Sequence, residues 1–573
     1  MKTTLATTLA ASAMFATALV LPARAQDFIT DEDVLIKAAD GATISAIVAR
    51  PRDDSVKLPT ALQFTIYADR SAMTKALAAA KRGYAGVIGF TRGKWQSPDT
   101  VVPYEYDGED ARAVIDWISR QPWSDGRVGM YGGSYNGFTQ WAAVKRLHPA
   151  LKTIVPYCPN DPGFGLPMTN NIFITANYAW AFYATNNKQV DNEVYADTKR
   201  WQELPWNWYR SGRPFREIDK VDGTPNPWLQ RWLTHPAYDS YWQGMTANGK
   251  DYEKLDIPVL AIDGYYDDGQ NNAVRRLQEH YRYRSNAEHY LVIGPYDHFG
   301  TQSAIKPAVL RGYAIDPVAQ FDTLDLTFDW LDYVLKGAKK PELLQDRINY
   351  EVMGANVWRH APSLEKMSTS KVTVYLDAEK DGDFHRLARN KPAKRASLEQ
   401  RIDYADRNVL SANSYPVEIV TSDLGLSQGL AFVSEPFDRA VSVNGLFGAT
   451  LRALVNKKDL DLSMTLYEVM PDGKYFNLSY TTQRASYAAD MSRRQLLTPN
   501  KVATIRLDRT LLVSRQLSKG SRLLVVLDVN RGPFSQVNYG TGKDVSDESI
   551  ADAKEPLIVQ WFNDSYVEIP VSQ

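Results

Sequence analysis

One cysteine, Cys158, stands in a chain of 573 residues. That excludes an intrachain disulfide and a thiolate-rich metal site, so stability must come from burial. No HExxH pair and no glycine-rich phosphate cradle occurs, and the expectation is no metal and no cofactor. Charge of one sign is not in excess: 66 Lys+Arg oppose 67 Asp+Glu, a formal charge of -1, with no long like-charge block. The electrostatic footprint of a nucleic-acid partner is therefore missing. Long apolar runs are confined to the first residues, where Lys2, the stretch Leu5 to Leu21 and the small-residue pattern Ala23-Arg24-Ala25 read as a secretory signal cut after Ala25. No later segment is long and apolar enough to cross a bilayer. A periplasmic or secreted location follows as an expectation, with no membrane attachment after cleavage.

What is present is a large globular chain. It is 44% hydrophobic and 23% charged, and at about 150 residues per domain it should hold several domains. From Val34 to Pro51 two apolar runs flank Asp40-Gly41, a hairpin signal. Short apolar runs follow at Ala61 to Tyr67, Tyr84 to Phe90, Val128 to Gly132, Leu151 to Tyr157, Ile257 to Gly264 and His289 to Gly294, separated by helix-like stretches. Strand–helix alternation of this kind predicts a parallel sheet covered on both faces.

Between about Asn160 and Tyr252 the alternation stops, and seven of the 14 tryptophans fall there. An insertion between two strands of a parallel sheet sits near their C-terminal ends, where such folds bind ligands, so a helical cap is expected. From about Arg347 onward strand patterns dominate; Leu460, Leu462, Met464 and Leu466 alternate with Asp461, Ser463 and Thr465. The expected division is a signal at 1–25, an α/β core at 26–159 and 253–346, a cap at 160–252 and a β-sandwich, of jelly-roll type, at 347–573.

The stretch from Arg127 through Gly132-Gly133-Ser134-Tyr135-Asn136-Gly137 reads as strand, sharp turn and helix. A serine on such a turn is lifted above the sheet edge, and the glycines make room for close packing. The usual pattern is GxSxG; here the second glycine comes one place late. An α/β-hydrolase order then requires an acid and a histidine past the ends of later strands. Pro258 to Asp267 and Tyr290 to His298 are both apolar runs emptying into polar loops. Of the seven histidines, His289 enters its strand at the opposite edge, His280 and His148 lie in helix-like segments, His235 in the insertion, and His360 and His385 near or within the β region. His298 remains as the base. Asp267 ranks first as the acid and Asp268 second. The Tyr135 backbone N–H is the expected first oxyanion donor, and the second should come from the loop that Tyr67 begins.

These residues resemble the CocE/NonD serine hydrolases, which include cocaine esterases, α-amino acid ester hydrolases, glutaryl acylases and X-prolyl dipeptidyl peptidases. Gly132 to Gly137 is similar to the family's GxSYxG elbow, Phe90-Thr91-Arg92-Gly93 to its DTRG segment with Phe for Asp, Gly264 to Asp267 to GWYD, and Gly294 to His298 to GPWxH. Val352 to Trp358 and Asn538 to Gly542 look like segments of its jelly roll. The resemblance implies ester or amide hydrolysis through an acyl-enzyme, and places Tyr67 where the family has a tyrosine whose hydroxyl completes the oxyanion hole. The α-amino acid ester hydrolases of the family have an amine-binding carboxylate two residues after the acid; that position is Gly269 here, so no amine-recognition cluster is expected. The partner expected is a small ester or amide, with a homo-oligomer left open. Competing readings are an X-Pro dipeptidyl peptidase and a non-catalytic carbohydrate- or peptide-binding protein.

Overall fold

The computed structural model describes residues 27–53, 55–411 and 418–572. The expected signal segment lies outside them. Ten strands form the core sheet: β1 (Phe28–Lys37), β2 (Thr43–Pro51), β3 (Leu58–Thr65), β4 (Ala85–Phe90), β5 (Ser124–Gly133), β6 (Leu151–Tyr157), β7 (Val259–Gly264), β8 (His289–Gly294), β9 (Ile348–Val352) and β10 (Val357–Ala361). Their order across the sheet is β1-β2-β4-β3-β5-β6-β7-β8-β9-β10. Pairs from β4 to β9 are parallel, and the antiparallel strands β1, β2 and β10 close the two edges.

The central strands are buried on both faces because helices cover both. Alternation along β3 shows how: Leu62 and Phe64 pack on one face with Val114 and Ile118 of α2 (Asp107–Ser119) and Trp141 of α3 (Tyr135–Lys145), while Ala61 packs on the other with Phe328 and Leu331. Those last two belong to the helix Thr323–Lys336, whose first turn is capped by the Asp322 carboxylate accepting from Leu324 N–H at 2.7 Å.

The chain between β6 and β7 folds mainly as short helices, among them Ala176–Thr185, Thr198–Ser211 and Pro227–Trp232. Among the described residues beyond β10, fourteen strands form a β-rich domain, antiparallel apart from the pairing of Phe384–Ala388 with Leu430–Val433. One expectation is modified. Core sheet hydrogen bonding runs past residue 346 into β9 and β10, because a run of strand patterning carries no mark of which sheet it joins. In the strand Asp461–Val469 the polar residues are buried along with the apolar ones, since Asp461 is held by Arg484 at 2.8 Å and is not facing water.

Asp161 fixes the cap's point of departure. It is fully buried and paired with Arg276 and, at 2.5 Å, with Arg275, both on the helix Gln270–Tyr283. Removing one partner of such a buried cluster leaves charges without compensation and costs about 3–5 kcal/mol. Asp161→Ala should therefore lower the unfolding free energy by that amount in urea titration; a loss under about 1 kcal/mol would contradict the role.

Candidate active site

Every residue singled out from the sequence lies just past the C-terminal end of a core strand: Tyr67 after β3, Ser134 after β5, Asp267 and Asp268 after β7, and His298 after β8. Ser134 occupies φ 59° and ψ -122°, a conformation rarely taken by a residue with a Cβ, and α3 begins at the next residue. The late glycine has a steric cause. A Cβ on Gly137 would lie 2.8 Å from Pro159 Cα, and one on Gly132 would lie 2.8 Å from Asn136 Cβ, so glycine at 132 makes room for asparagine at the usual glycine place. Gly133 admits the side chain of Gln302, whose amide donates to the His298 carbonyl at 2.9 Å. The elbow thus packs directly on the short helix that begins with His298.

His298 Nδ1 bonds to Asp267 Oδ1 at 2.7 Å, and the second Asp267 oxygen accepts the Gly269 N–H at 3.0 Å. Asp267 is fully buried. Asp268 Oδ1 stands farther from the ring, at 3.8 Å, with its side chain 32% exposed. This cluster is a hydrogen-bonded acid–imidazole arrangement with the ring's Nε2 left over for proton transfer. The primary acid expected from the sequence is the one that touches the histidine.

Burial works against charging the His298 ring, but the neighbouring Cys158 sulfur and the Asp267 carboxylate more than offset it, and the imidazole titrates well above its ordinary value. Burial pushes the Cys158 thiol up to about 12, so that sulfur is uncharged at ordinary pH and Asp267 is the effective counter-charge. Burial and the Asp267 charge raise Asp268 to about 6.

The Ser134 hydroxyl is not hydrogen-bonded to His298 here; it neighbours the Tyr67 phenol as a hydrogen-bond partner. Such contacts commonly close only when substrate is bound. Burial raises the Tyr67 hydroxyl above its ordinary pKa, so it is a proton donor. It also accepts from the indole N–H of Trp180 at 2.9 Å. Trp180 lies on the cap helix Ala176–Thr185 and stacks on Tyr104 and Tyr135. The Tyr135 side chain points away from the site, donating to Asp107 Oδ2 at 2.6 Å. Its backbone N–H, at the first residue of α3, has no intrahelical acceptor. Asp107 also accepts from Thr91 at 2.5 Å, which gives the Phe90-to-Gly93 segment a structural purpose. Trp180 and Asp107 were not assigned functions from sequence; both act through contacts between distant residues that leave no local spacing.

A cavity of about 510 Å³ opens beside Asp268, walled by cap residues including Tyr178, Tyr183 and Trp201 and by Tyr480, Leu511 and Phe534 of the C-terminal domain. Its lining is mostly apolar, as ligand pockets are.

Comparison with known proteins fits this geometry. Residues 40–300 match the family model described as X-Pro dipeptidyl-peptidase (S15 family), and residues 344–567 match X-Pro dipeptidyl-peptidase C-terminal non-catalytic domain. The chain belongs to the CocE/NonD family of serine hydrolases. A curated member, the cocaine esterase of Rhodococcus sp. (strain MB1 Bresler), is 24% identical over 560 residues, covering 90% of this chain and 94% of the esterase. Among solved structures, an α-amino acid ester hydrolase superposes with a TM-score of 0.77 at 20% identity, over 98% of this chain and all of that one. An aminopeptidase from a marine sediment archaeon, Thaumarchaeota archaeon, superposes with a TM-score of 0.76 at 19% identity, over 96% and 97% of the two chains. Both superpositions extend over the α/β core and the β-rich C-terminal domain. Among the described residues no helix is long and apolar enough to cross a membrane.

Within this CocE/NonD hydrolase the buried Cys158 should be chemically silent despite standing beside the histidine. Ellman's reagent should titrate no thiol in the native protein and one after denaturation; rapid native labelling would contradict the burial.

Proposed function

We propose that the chain hydrolyses an acyl ester or amide of a small substrate through an acyl-enzyme on Ser134. The observation that carries this is the 2.7 Å bond from His298 Nδ1 to buried Asp267, which leaves Nε2 as the base for a serine held on a positive-φ elbow. Ser134 Oγ attacks the acyl carbon as its proton passes to Nε2, and the carbonyl oxygen takes up the negative charge. In this reading the Tyr135 N–H and the Tyr67 O–H donate to it. Collapse expels the leaving group, which takes the proton from Nε2. Water, deprotonated by the same ring, then releases the acid and restores Ser134. Asp267 holds the ring and offsets its charge during both halves. Asp268, the alternative acid, fits better as a wall of the substrate cavity.

The family's names include esterases and peptidases, and the same acyl transfer serves both. The X-Pro dipeptidyl peptidase reading is favoured by the description of the family model. Turnover of an ester and an amide of one acyl group, with the substrate amine free and then blocked, separates the two. The N-terminal signal pattern supports action outside the cytoplasm, in the periplasm or after secretion.

A fluorophosphonate probe should label Ser134, and Ser134→Ala should abolish both labelling and turnover of short acyl p-nitrophenyl esters. Tyr67→Phe should retain labelling at a lower rate and cost about 10²- to 10³-fold in kcat, the usual loss for one oxyanion donor. Trp180→Phe, which removes an N–H worth about 1 kcal/mol together with part of the ring surface stacked on Tyr104 and Tyr135, should cost at least about fivefold in kcat.

Sign and position of the pH dependence follow from the raised His298 pKa. The base must be neutral, so activity is present above that pKa and falls as pH drops through it. An unperturbed imidazole would put the acid limb near ~6.5; here the kcat/KM profile should reach half-maximum above that. A flat profile from about pH 5 to 8 would remove His298 as the base.

A further inference from the structure

Two further carboxyl groups, of Asp268 on the cavity side and of Asp263 on the buried side, lie within hydrogen-bond reach of Asp267, and the acyl-transfer scheme uses neither. Asp263 is the penultimate residue of β7 and, like Asp267, is fully buried. Its Oδ1 accepts the Gly264 N–H at 2.7 Å. Its Oδ2 is buried with no donor to accept from, yet the carboxyl is in hydrogen-bond contact with that of Asp267. Two carboxylates cannot both be ionised in such contact, so one holds a proton between them. Asp267 already faces an imidazole and the Gly269 N–H, both of which favour its anion. Asp263 has one backbone N–H and an oxygen whose isolation ends only if that oxygen is itself the donor.

We propose that Asp263 is a positioning acid that remains protonated and donates a hydrogen bond from Oδ2 to the Asp267 carboxylate. The inference rests on the reading of Ser134, His298 and Asp267 given above. It gives Asp267 a third hydrogen bond, which fixes the plane of the carboxylate and hence of the ring it holds. It also draws charge from that carboxylate, so His298 is less basic than it would be beside an unassisted anion. Burial first, and then the Asp267 charge, push the Asp263 carboxyl well above the ordinary range, in keeping with this protonation. The other titratable groups that face the cluster are Asp268 on the same loop, Cys158 after β6, Tyr67 after β3 and Tyr480 from the C-terminal domain, with Lys306 beyond Cys158.

The test is the acid limb of kcat/KM in three full-length proteins. Asp263→Ala removes the donor, and the limb should move up by about 0.5–1 pH unit, the equivalent of one hydrogen bond. Asp263→Asn keeps a donor at the same place and should restore the limb toward that of the parent. An ionised Asp263 would give the opposite sign, because either substitution would then remove a negative charge and move the limb down; that result overturns the proposal. Infrared difference spectra supply a readout that needs neither activity nor the alanine variant to fold. The parent should show the carbonyl stretch of a neutral buried carboxylic acid that Asp263→Asn lacks, and its absence from the parent overturns the proposal as well. Fluorophosphonate labelling separates the two levels: a parent protein that does not label at Ser134 sinks the triad reading and this inference with it, whereas labelling with a limb that moves down sinks the role of Asp263 alone.

Discussion

Orientation of one imidazole governs the candidate site. His298 has two ring nitrogens, and the bond from Nδ1 to Asp267 decides which of them is free, which way it faces and how strongly it holds a proton. Asp267 can do this because it is itself immobilised, by the Gly269 N–H on one oxygen and the ring on the other, in a place water does not reach. The structural features around it serve that arrangement. β7 delivers Asp267, β8 delivers His298, and the short helix starting at His298 is pinned against the elbow through Gln302. Glycine at 133 is what permits that contact.

The same burial that gives the pair its strength sets its electrostatic problem. Within a few residues of one another lie Asp263, Asp267 and Asp268, facing a single ring that can carry a positive charge. Three carboxylates in a poorly solvated pocket would repel one another strongly. The structure resolves this by grading their surroundings. Asp267 receives hydrogen bonds on both oxygens, Asp268 reaches partly into the cavity, and Asp263 has the poorest stabilisation of a charge. The end of β7 and the loop after it thereby hold three carboxyl groups in three different surroundings.

Much of the core was legible because parallel strands buried on both faces must be continuous apolar runs; Ala61 to Tyr67, Leu151 to Tyr157 and His289 to Gly294 all became central strands. The elbow was legible for a related reason, since a serine at positive φ demands small neighbours that show in the sequence. Periodicity could not reveal contacts made across the fold. Trp180 reaches Tyr67 over 113 residues, and nothing near either residue encodes the pairing. Asp263 sits inside an apolar strand, where its carboxyl looks like an exception to the pattern until Asp267 is placed beside it. The edge of the core sheet escaped notice because β9 and β10 share their residue preferences with the domain that follows them.

The Trp180–Tyr67 bond also ties the cap to the chemistry. The helix that carries Trp180 ends near three carbonyls, of Ala184, Asn187 and Gln189, which accept from the buried ammonium of Lys94 at 2.6–3.0 Å. Lys94 directly follows the Phe90-to-Gly93 segment, whose Thr91 holds Asp107, which in turn holds Tyr135. One loop after β4 therefore braces both expected oxyanion donors, Tyr67 from the cap side and Tyr135 from the elbow side. Burial lowers the Lys94 pKa to about 8, so this brace is weakest in alkali, where the ammonium loses a proton and one of its three donors. The cavity walls are tied to the same brace, because Trp201 stacks on Phe182 and Tyr195 packs edge-on against Tyr183, both on the helix that carries Trp180.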